Sequence, residues 1–274
     1  MTTSRPGARR VDPIERAHLL DASGYTPPIH RFAPSPELAP LVRRYWMPVW
    51  SLPDGQASVQ RVLQYPVCLL VVSHEYALLV GPASGLSTQE LRGSGWALGT
   101  MLQPAAGTAL AGGPVTALTD RAVPLADEAL VVGIRAAVGD QPEDPARQQA
   151  AVALVEEALV RLLPVDEEGL LVNAIVEFVE ADPDVQRVSQ VCEKFALTER
   201  TLQRLTARRI GLSPKWLVQR RRLHEAAQRL RRQERPDLAR VAAELGYADQ
   251  AHFSRDFRAV TGLTPGEFAA EPRP

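Results

Sequence analysis

The sequence predicts an α+β chain of more than one domain. A β-rich front half is followed by an all-α back half in which one helical unit occurs twice around a long helix. Three observations predict it. Between 57 and about 125, short β-prone runs recur at roughly ten-residue spacing, separated by Gly and Pro. Beyond Pro164, apolar residues recur only at helical spacing. The net charge of −1 over 274 residues also conceals a division. From Asp184 onward there are 18 Lys and Arg against 11 Asp and Glu, a surplus of seven, whereas residues 1–183 carry 13 against 21, a deficit of eight. A basic back half on an acidic front half suits a polyanionic partner, or is a solvated basic surface.

Residues 1–28 are rich in Arg, Pro and Ser and are expected to form a loose arm; no apolar run follows the arginines of MTTSRPGARR, so a secretory leader is not expected. PSPELAPLVRRYW (34–46) sets Leu38, Leu41, Val42 and Tyr45 on one face of an expected short amphipathic helix. The strand candidates are VQRVL (59–63), VCLLVV (67–72), YALLV (76–80), TQELR (88–92), WALGTML (96–102) and VTALT (115–119), an antiparallel barrel or sandwich. After the acidic loop QPEDP (141–145), a helix is expected over about 146–163. Its stripe of Val152, Val155, Leu159 and Leu162 could join the core or pair with a partner subunit. The front domain is thereby bounded at 29–165 and the back domain at 166–274.

In the back domain, Val172, Ile175, Val176 and Val179 mark one helix that ends at Asp182-Pro183. Val185, Val188, Val191, Cys192 and Phe195 mark the next, and Thr198 can cap a third bearing Leu202 and Leu205. Ser213-Pro214 opens a fourth, with Ser as N-cap and Pro at the first helical position, running to about Arg231. Leu238, Val241, Ala242 and Leu245 form a fifth. Phe253, Phe257 and Val260 stripe a sixth, and Thr264 with Glu267 forms a capping box for a last short helix.

This half contains itself twice. An apolar helix, the turn FALT and a helix with LQR (202–204) match an apolar helix, the turn LGYAD and a helix with FSR (253–255). Leu202 corresponds to Phe253 and Arg204 to Arg255, with one extra residue in the second turn. Each unit follows the helix-turn-helix plan, whose second helix lies in the DNA major groove. The buried aromatics hold one face, so the opposite face can present Arg to guanine O6 and N7 and Gln to adenine. The intervening helix of about 18 residues would be roughly 27 Å long. Such a strut could hold two reading helices near the ~34 Å spacing of successive major-groove faces, so that one chain reads two half-sites.

LTERTLQRL (197–205), GLSPKWLVQRRRL (211–223) and above all ELGYADQAHFSRDFRAVTGLTPGEF (244–268) resemble the AraC/XylS family of bacterial transcription regulators. The resemblance covers about 100 residues, roughly Leu170 to Phe268. It implies two helix-turn-helix units binding double-stranded promoter DNA. Base-reading roles then fall on Arg200, Gln203 and Arg204 in the first unit and on Gln250, Ala251, His252, Ser254 and Arg255 in the second. Lys215 and Arg258 would be phosphate contacts. Ala196 stands where many relatives have Gly, and would be mildly strained if the turn needs positive φ. The front half, with RFAPSPELAPLVRRYW, resembles the amino-terminal domain of a subset of these regulators, similar in plan to a cupin-like sensor barrel. The implied partners are promoter DNA, a small-molecule effector, a second copy of the chain, and RNA polymerase if the regulator activates.

Trp46, Trp50 and Trp96 are the candidates for an effector pocket, because aromatic walls suit small ligands; the plainer reading is a core. Alternatively the front half is only an interaction module. No enzyme, cofactor or metal is expected. His18, His30 and His74 are not paired for a metal, and His74 beside Glu75 reads as a strand-end pair. GSGWALG (93–99) has three residues between its second and third Gly where a phosphate loop needs two, and GPASG (81–85) misplaces Ser84 for a nucleophile elbow. The longest apolar run cannot cross a bilayer. Cys68 and Cys192 stand far apart, as reduced thiols in a cytoplasm do.

Overall fold

Residues 34–46 do not form the expected helix. In the computed structural model, which describes residues 18–19, 25–63, 65–232 and 236–270, only a 3-10 turn at Pro36–Leu38 precedes a ten-residue strand, Val42–Ser51. Pro40 interrupts a helical ladder there. The β-branched and aromatic residues beyond it (Val42, Tyr45, Trp46, Val49 and Trp50) pack better on a pleated surface.

Among the described residues the strands are β1 (His18–Leu19), β2 (Ile29–Phe32), β3 (Val42–Ser51), β4 (Ala57–Val62), β5 (Leu69–Ser73), β6 (Ala77–Val80), β7 (Ser87–Arg92), β8 (Ser94–Leu102) and β9 (Ala122–Pro124). They make two antiparallel sheets: one of order β1-β4-β7, the other of order β2-β3-β8-β5-β6-β9. The strands therefore form two packed sheets, with no closed cupin-like barrel among the described residues. Leu91 of β7 packs with Trp50, Ala97 and Val71 of the larger sheet and so joins the two layers. The expected loose arm lies largely outside the described residues, but its His18 and Leu19 pair with Val62 and Arg61.

The other face of the larger sheet carries Tyr45, Met47, Val49, Trp96 and Leu98 into the main core, shared with α2 (Glu128–Val138) and α3 (Pro145–Val160). The stripe of α3, with Val152, Val155 and Leu159, is buried in this core and is not available to a partner subunit. VTALT is a 3-10 turn at Val115–Leu118 and no strand. Its Val115 and Leu118 are buried in the main core, and it leads from α1 (Pro104–Ala111) to β9 at the edge of the larger sheet.

Two glycines of GSGWALG, Gly95 and Gly99, have a packing role. Gly99 pairs with Trp46 and Gly95 with Trp50 across the β3–β8 ladder. A Cβ at Gly99 would stand 2.1 Å from the Trp46 ring, and one at Gly95 would stand 2.6 Å from that of Trp50. Two indoles thus lie over two glycines, and only a residue without a side chain fits under each.

The helical half comprises α4 (Glu167–Ala181), α5 (Val188–Phe195), α6 (Glu199–Arg209), α7 (Pro214–Arg232), α8 (Leu238–Glu244), α9 (Gln250–Thr261) and α10 (Pro265–Ala270). Capping follows the sequence closely. Thr198 accepts from Thr201 N, Ser213 Oγ from Trp216 N, and Thr264 and Glu267 bond reciprocally. Each satisfies an amide that the first helical turn leaves unpaired. One apolar cluster joins α4, α5 and α6 to the start of α7, and a second joins the end of α7 to α8, α9 and α10.

The two halves are closely tied. Arg209, at the end of α6, bonds Glu168 Oε1 at 2.7 Å, Thr108 Oγ1 at 3.0 Å and the Asp166 carboxylate. Trp216 Nε1 donates to the Ser84 carbonyl at 3.0 Å, and Arg43 pairs with Glu180. Leu63, from the loop after β4, is fully buried in the α7–α9 cluster.

Candidate nucleic-acid interface

The two helix-turn-helix units share one turn closure. In the first, Leu197 N donates to Cys192 O at 2.9 Å; in the second, Tyr247 N donates to Ala242 O, also at 2.9 Å. Such a bond satisfies a carbonyl that the helix end leaves orphaned, and it requires a left-handed residue just before the donor. That residue is Ala196 in the first unit, at φ 51°, and Gly246 in the second, at φ 72°. Ala196 therefore does sit in the glycine-favouring region, with the strain foreseen for it.

From this shared point the chain takes two residues to the N-cap Thr198 and three to the N-cap Asp249, the extra residue seen in the sequence. Asp249 Oδ1 accepts from His252 N at 2.6 Å. Counting from the caps, Leu202 and Phe253 take the same place and both are completely buried. Arg204 and Arg255 take the next shared place outward, and both are exposed.

The outer face of α6 brings together Arg200, Gln203 and Arg204, all exposed, and Lys215 is exposed at the second residue of α7. On α9, Gln250, Ala251, His252, Arg255 and Arg258 are exposed, while Ser254 is half-buried. His252 is held by its own unit: its ring meets Tyr247 edge-on at 5.2 Å, and Nε2 lies 3.6 Å from Asp256. Phe253, Phe257 and Phe268 interlock edge to face with centroids 5.3–5.6 Å apart, which anchors α9 from beneath.

Two supports escaped the sequence reading. Asp256 accepts from Gln219 Nε2 at 2.8 Å, tying the α9 face to the strut α7. The Arg222 guanidinium lies 3.8 Å from the centre of the Tyr247 ring. Burial pushes the Tyr247 phenol up to about 12, so the ring meets that cation as a neutral phenol. Both residues come from the helix QRRRL, whose charges suggested solvent rather than support.

The strut has 19 residues, about 28 Å at 1.5 Å per residue. The far end of α6 is also clamped, through Arg208 and Arg209 to Glu168 and Asp166.

The three tryptophans do not converge on one pocket. Trp96 faces the helices α2 and α3, whereas Trp46 and Trp50 face the opposite side of the sheet. Trp50 borders an open cavity of about 680 Å³ at the Asp140–Asp144 loop and a smaller one of about 230 Å³ beside His74. His74 Nε2 does lie 3.7 Å from Glu75, as a strand-end pair. Among the described residues no cluster of His, Cys, Asp or Glu could hold a metal ion, and no helix is long and apolar enough to cross a membrane.

Comparison with known proteins agrees with this geometry. Residues 191–271 match the family described as a helix-turn-helix domain, and residues 30–124 match a domain of unknown function, DUF6597. The HTH-type transcriptional activator RhaS of Escherichia fergusonii is 36% identical over 77 residues, 28% of this chain and 27% of that protein. An uncharacterized HTH-type transcriptional regulator of Haemophilus influenzae is 25% identical over 115 residues, 42% of this chain and 37% of that protein. The chain thus spans well under half the length of these relatives. Among solved structures, ToxT of Vibrio cholerae aligns over 92% of this chain and 98% of its own, at 10% identity and a TM-score of 0.40. Residues 191–271 thus belong to a helix-turn-helix domain family, and the doubled unit is the arrangement that the AraC/XylS resemblance implies.

Proposed function

We propose that the protein is a sequence-specific transcription regulator that binds double-stranded promoter DNA through α6 and α9, each in its own major-groove segment. The observation that carries this is the repeated unit. Two helices, closed by the same turn bond and capped at equivalent places, each present a polar face above a buried hydrophobic anchor. Arg200, Gln203 and Arg204 would read one half-site, and Gln250, Ala251, His252, Ser254 and Arg255 the other. Lys215 and Arg258 would neutralise phosphates. The division into a regulatory domain at 29–165 and a DNA-binding domain at 166–274 is supported by a change of core: α3 packs with the sheets, and α4 packs with the first helix-turn-helix unit. A small molecule would act through the front domain. RNA polymerase would be a further partner if the regulator activates.

The test is selection of bound fragments from the intergenic DNA of the encoding genome, then titration of the best fragment at two salt concentrations. Tight, selective binding that weakens steeply with salt is expected. Binding by the full chain that is weak and indifferent to sequence would refute the reading.

A further inference from the structure

His252 is the exposed member of a closed circuit of side chains whose other members are buried or half-buried. From the strut, Gln219 Nε2 donates to Asp256 Oδ2 at 2.8 Å. The same carboxylate oxygen lies 3.6 Å from His252 Nε2. The His252 ring meets Tyr247 edge-on, and the Arg222 guanidinium lies over the Tyr247 ring. Gln219 and Arg222 stand three residues apart on one face of α7, so the circuit begins and ends on the strut.

The first unit has no such circuit. Counted from the caps Thr198 and Asp249, His252 corresponds to Thr201 and Asp256 to Leu205. Thr201 Oγ1 is 2.9 Å from the cap hydroxyl of Thr198, and Leu205 is buried in the apolar cluster of its own unit. Two units that share turn, caps and anchor therefore differ in what supports the third residue of the outer helix.

The support has a chemical sense. An ionised carboxylate can only accept, so Asp256 favours the imidazole tautomer that carries its proton on Nε2. In the neutral ring the other nitrogen, Nδ1, is then an acceptor, and it is the polar atom left for a base. The major groove offers donors to it as the adenine N6 and cytosine N4 amino groups, whereas guanine O6 and N7 and thymine O4 would repel it. A ring already held also gives up little rotational freedom on binding.

We propose that Asp256, held by Gln219, is a positioning residue that makes His252 a hydrogen-bond acceptor toward DNA. The second unit then selects an amino-bearing base, adenine or cytosine, at the position His252 meets. This rests on the reading of the protein as a DNA-binding regulator and adds the base chemistry that one side chain selects.

The test uses the full chain and the selected fragment, resynthesised with each base pair at every position. His252→Ala should relax preference at one position, which locates its contact. There the amino group alone is deleted, with purine in place of adenine or 2-pyrimidinone in place of cytosine. That deletion should weaken the wild type by roughly threefold to tenfold, the worth of one hydrogen bond, and leave His252→Ala and Asp256→Ala unaffected. Asp256→Asn, which keeps an oxygen for Gln219, should retain more of the sensitivity. Adding Asp256→Ala to His252→Ala should weaken specific binding no further, because the carboxylate acts through the ring; a merely structural role would add its own loss. If Asp256→Ala fails to fold, Gln219→Leu, which frees the carboxylate from the strut, should lower the sensitivity in its place. Nitrogen NMR of the DNA-free protein, in alkaline solution where imidazole is neutral, should find the His252 proton on Nε2.

A proton on Nδ1, an amino deletion that weakens wild type and variants alike, additive losses, or no position relaxed by His252→Ala would each overturn the assignment. The regulator reading stands in all four cases as long as the wild type selects its fragment. If the wild type selects none, that reading falls and this assignment with it.

Discussion

The hydroxyl of Thr119 donates to the carbonyl oxygen of Gly211 at 2.8 Å, joining the β-rich half to the turn between the first reading helix and the strut. That turn sets the angle at which α6 leaves α7, so a front-half residue holds the geometry of a back-half unit. Thr119→Val keeps the shape and removes the donor. A loss of about 1 kcal/mol is expected from urea unfolding, the usual net worth of such a bond. An unchanged midpoint would mean that water replaces the hydroxyl.

The neighbouring ion pair gives a pH dependence of known sign. Burial by itself would raise the Asp166 carboxyl, but the Arg209 guanidinium and the Gly169 amide outweigh it and hold the group below its ordinary 3.8. A lowered folded value contributes stability that is fully present above the unfolded value and is lost as pH falls through the folded one. Asp166→Asn keeps the cap on Gly169 and removes the charge. The wild type should therefore exceed the variant in melting temperature by a constant margin above ~pH 5, and the margin should close below the ordinary carboxylate value.

Reading and phosphate contacts separate by mutation. Arg204→Ala and Arg255→Ala should each cost about 1–3 kcal/mol of specific binding and relax preference at one base position. Unaltered affinity and preference in both would remove these helices from the interface. Lys215→Ala should weaken all sequences alike and flatten the salt slope by about one.

Ala196→Gly should raise stability by up to ~1 kcal/mol, because the left-handed conformation at φ 51° strains a residue with a Cβ. Chemical denaturation measures it. DNA preference should not change, since the turn closure between Leu197 and Cys192 already has its native form.

The helical half was legible in the sequence because its signals are local. Ser213-Pro214, Thr198 and the Thr264–Glu267 box act within one turn of helix, and the Leu202–Phe253 equivalence needs only a count from each cap. The front half depended on pairing across long separations. Val42 to Tyr45 has apolar spacing that fits a helix, and only the partner strand β8 makes it a strand. VTALT has strand composition, yet Val115 and Leu118 are taken up by the main core of the front half from a 3-10 turn. The tryptophans were noted for their chemistry, but Gly95 and Gly99 opposite them reveal a packing role for Trp46 and Trp50. At the candidate interface, the exposure of the polar faces followed from periodicity, whereas the Gln219–Asp256 bond and the Arg222–Tyr247 contact are ones that no spacing announces.

Leu63 has a consequence for engineering. Its side chain completes an apolar cluster built otherwise mainly from α7, α8, α9 and α10, so the second reading unit borrows part of its interior from the other half of the chain. The halves are then not interchangeable cassettes. A chimaera that grafts a foreign sensor onto residues 166–274 would leave a hole in the cluster that holds Phe253 and Phe257 unless it also supplied a leucine at that loop. The specificity with which a front half accepts a back half would thus be written in a packing residue, away from both the ligand and the DNA.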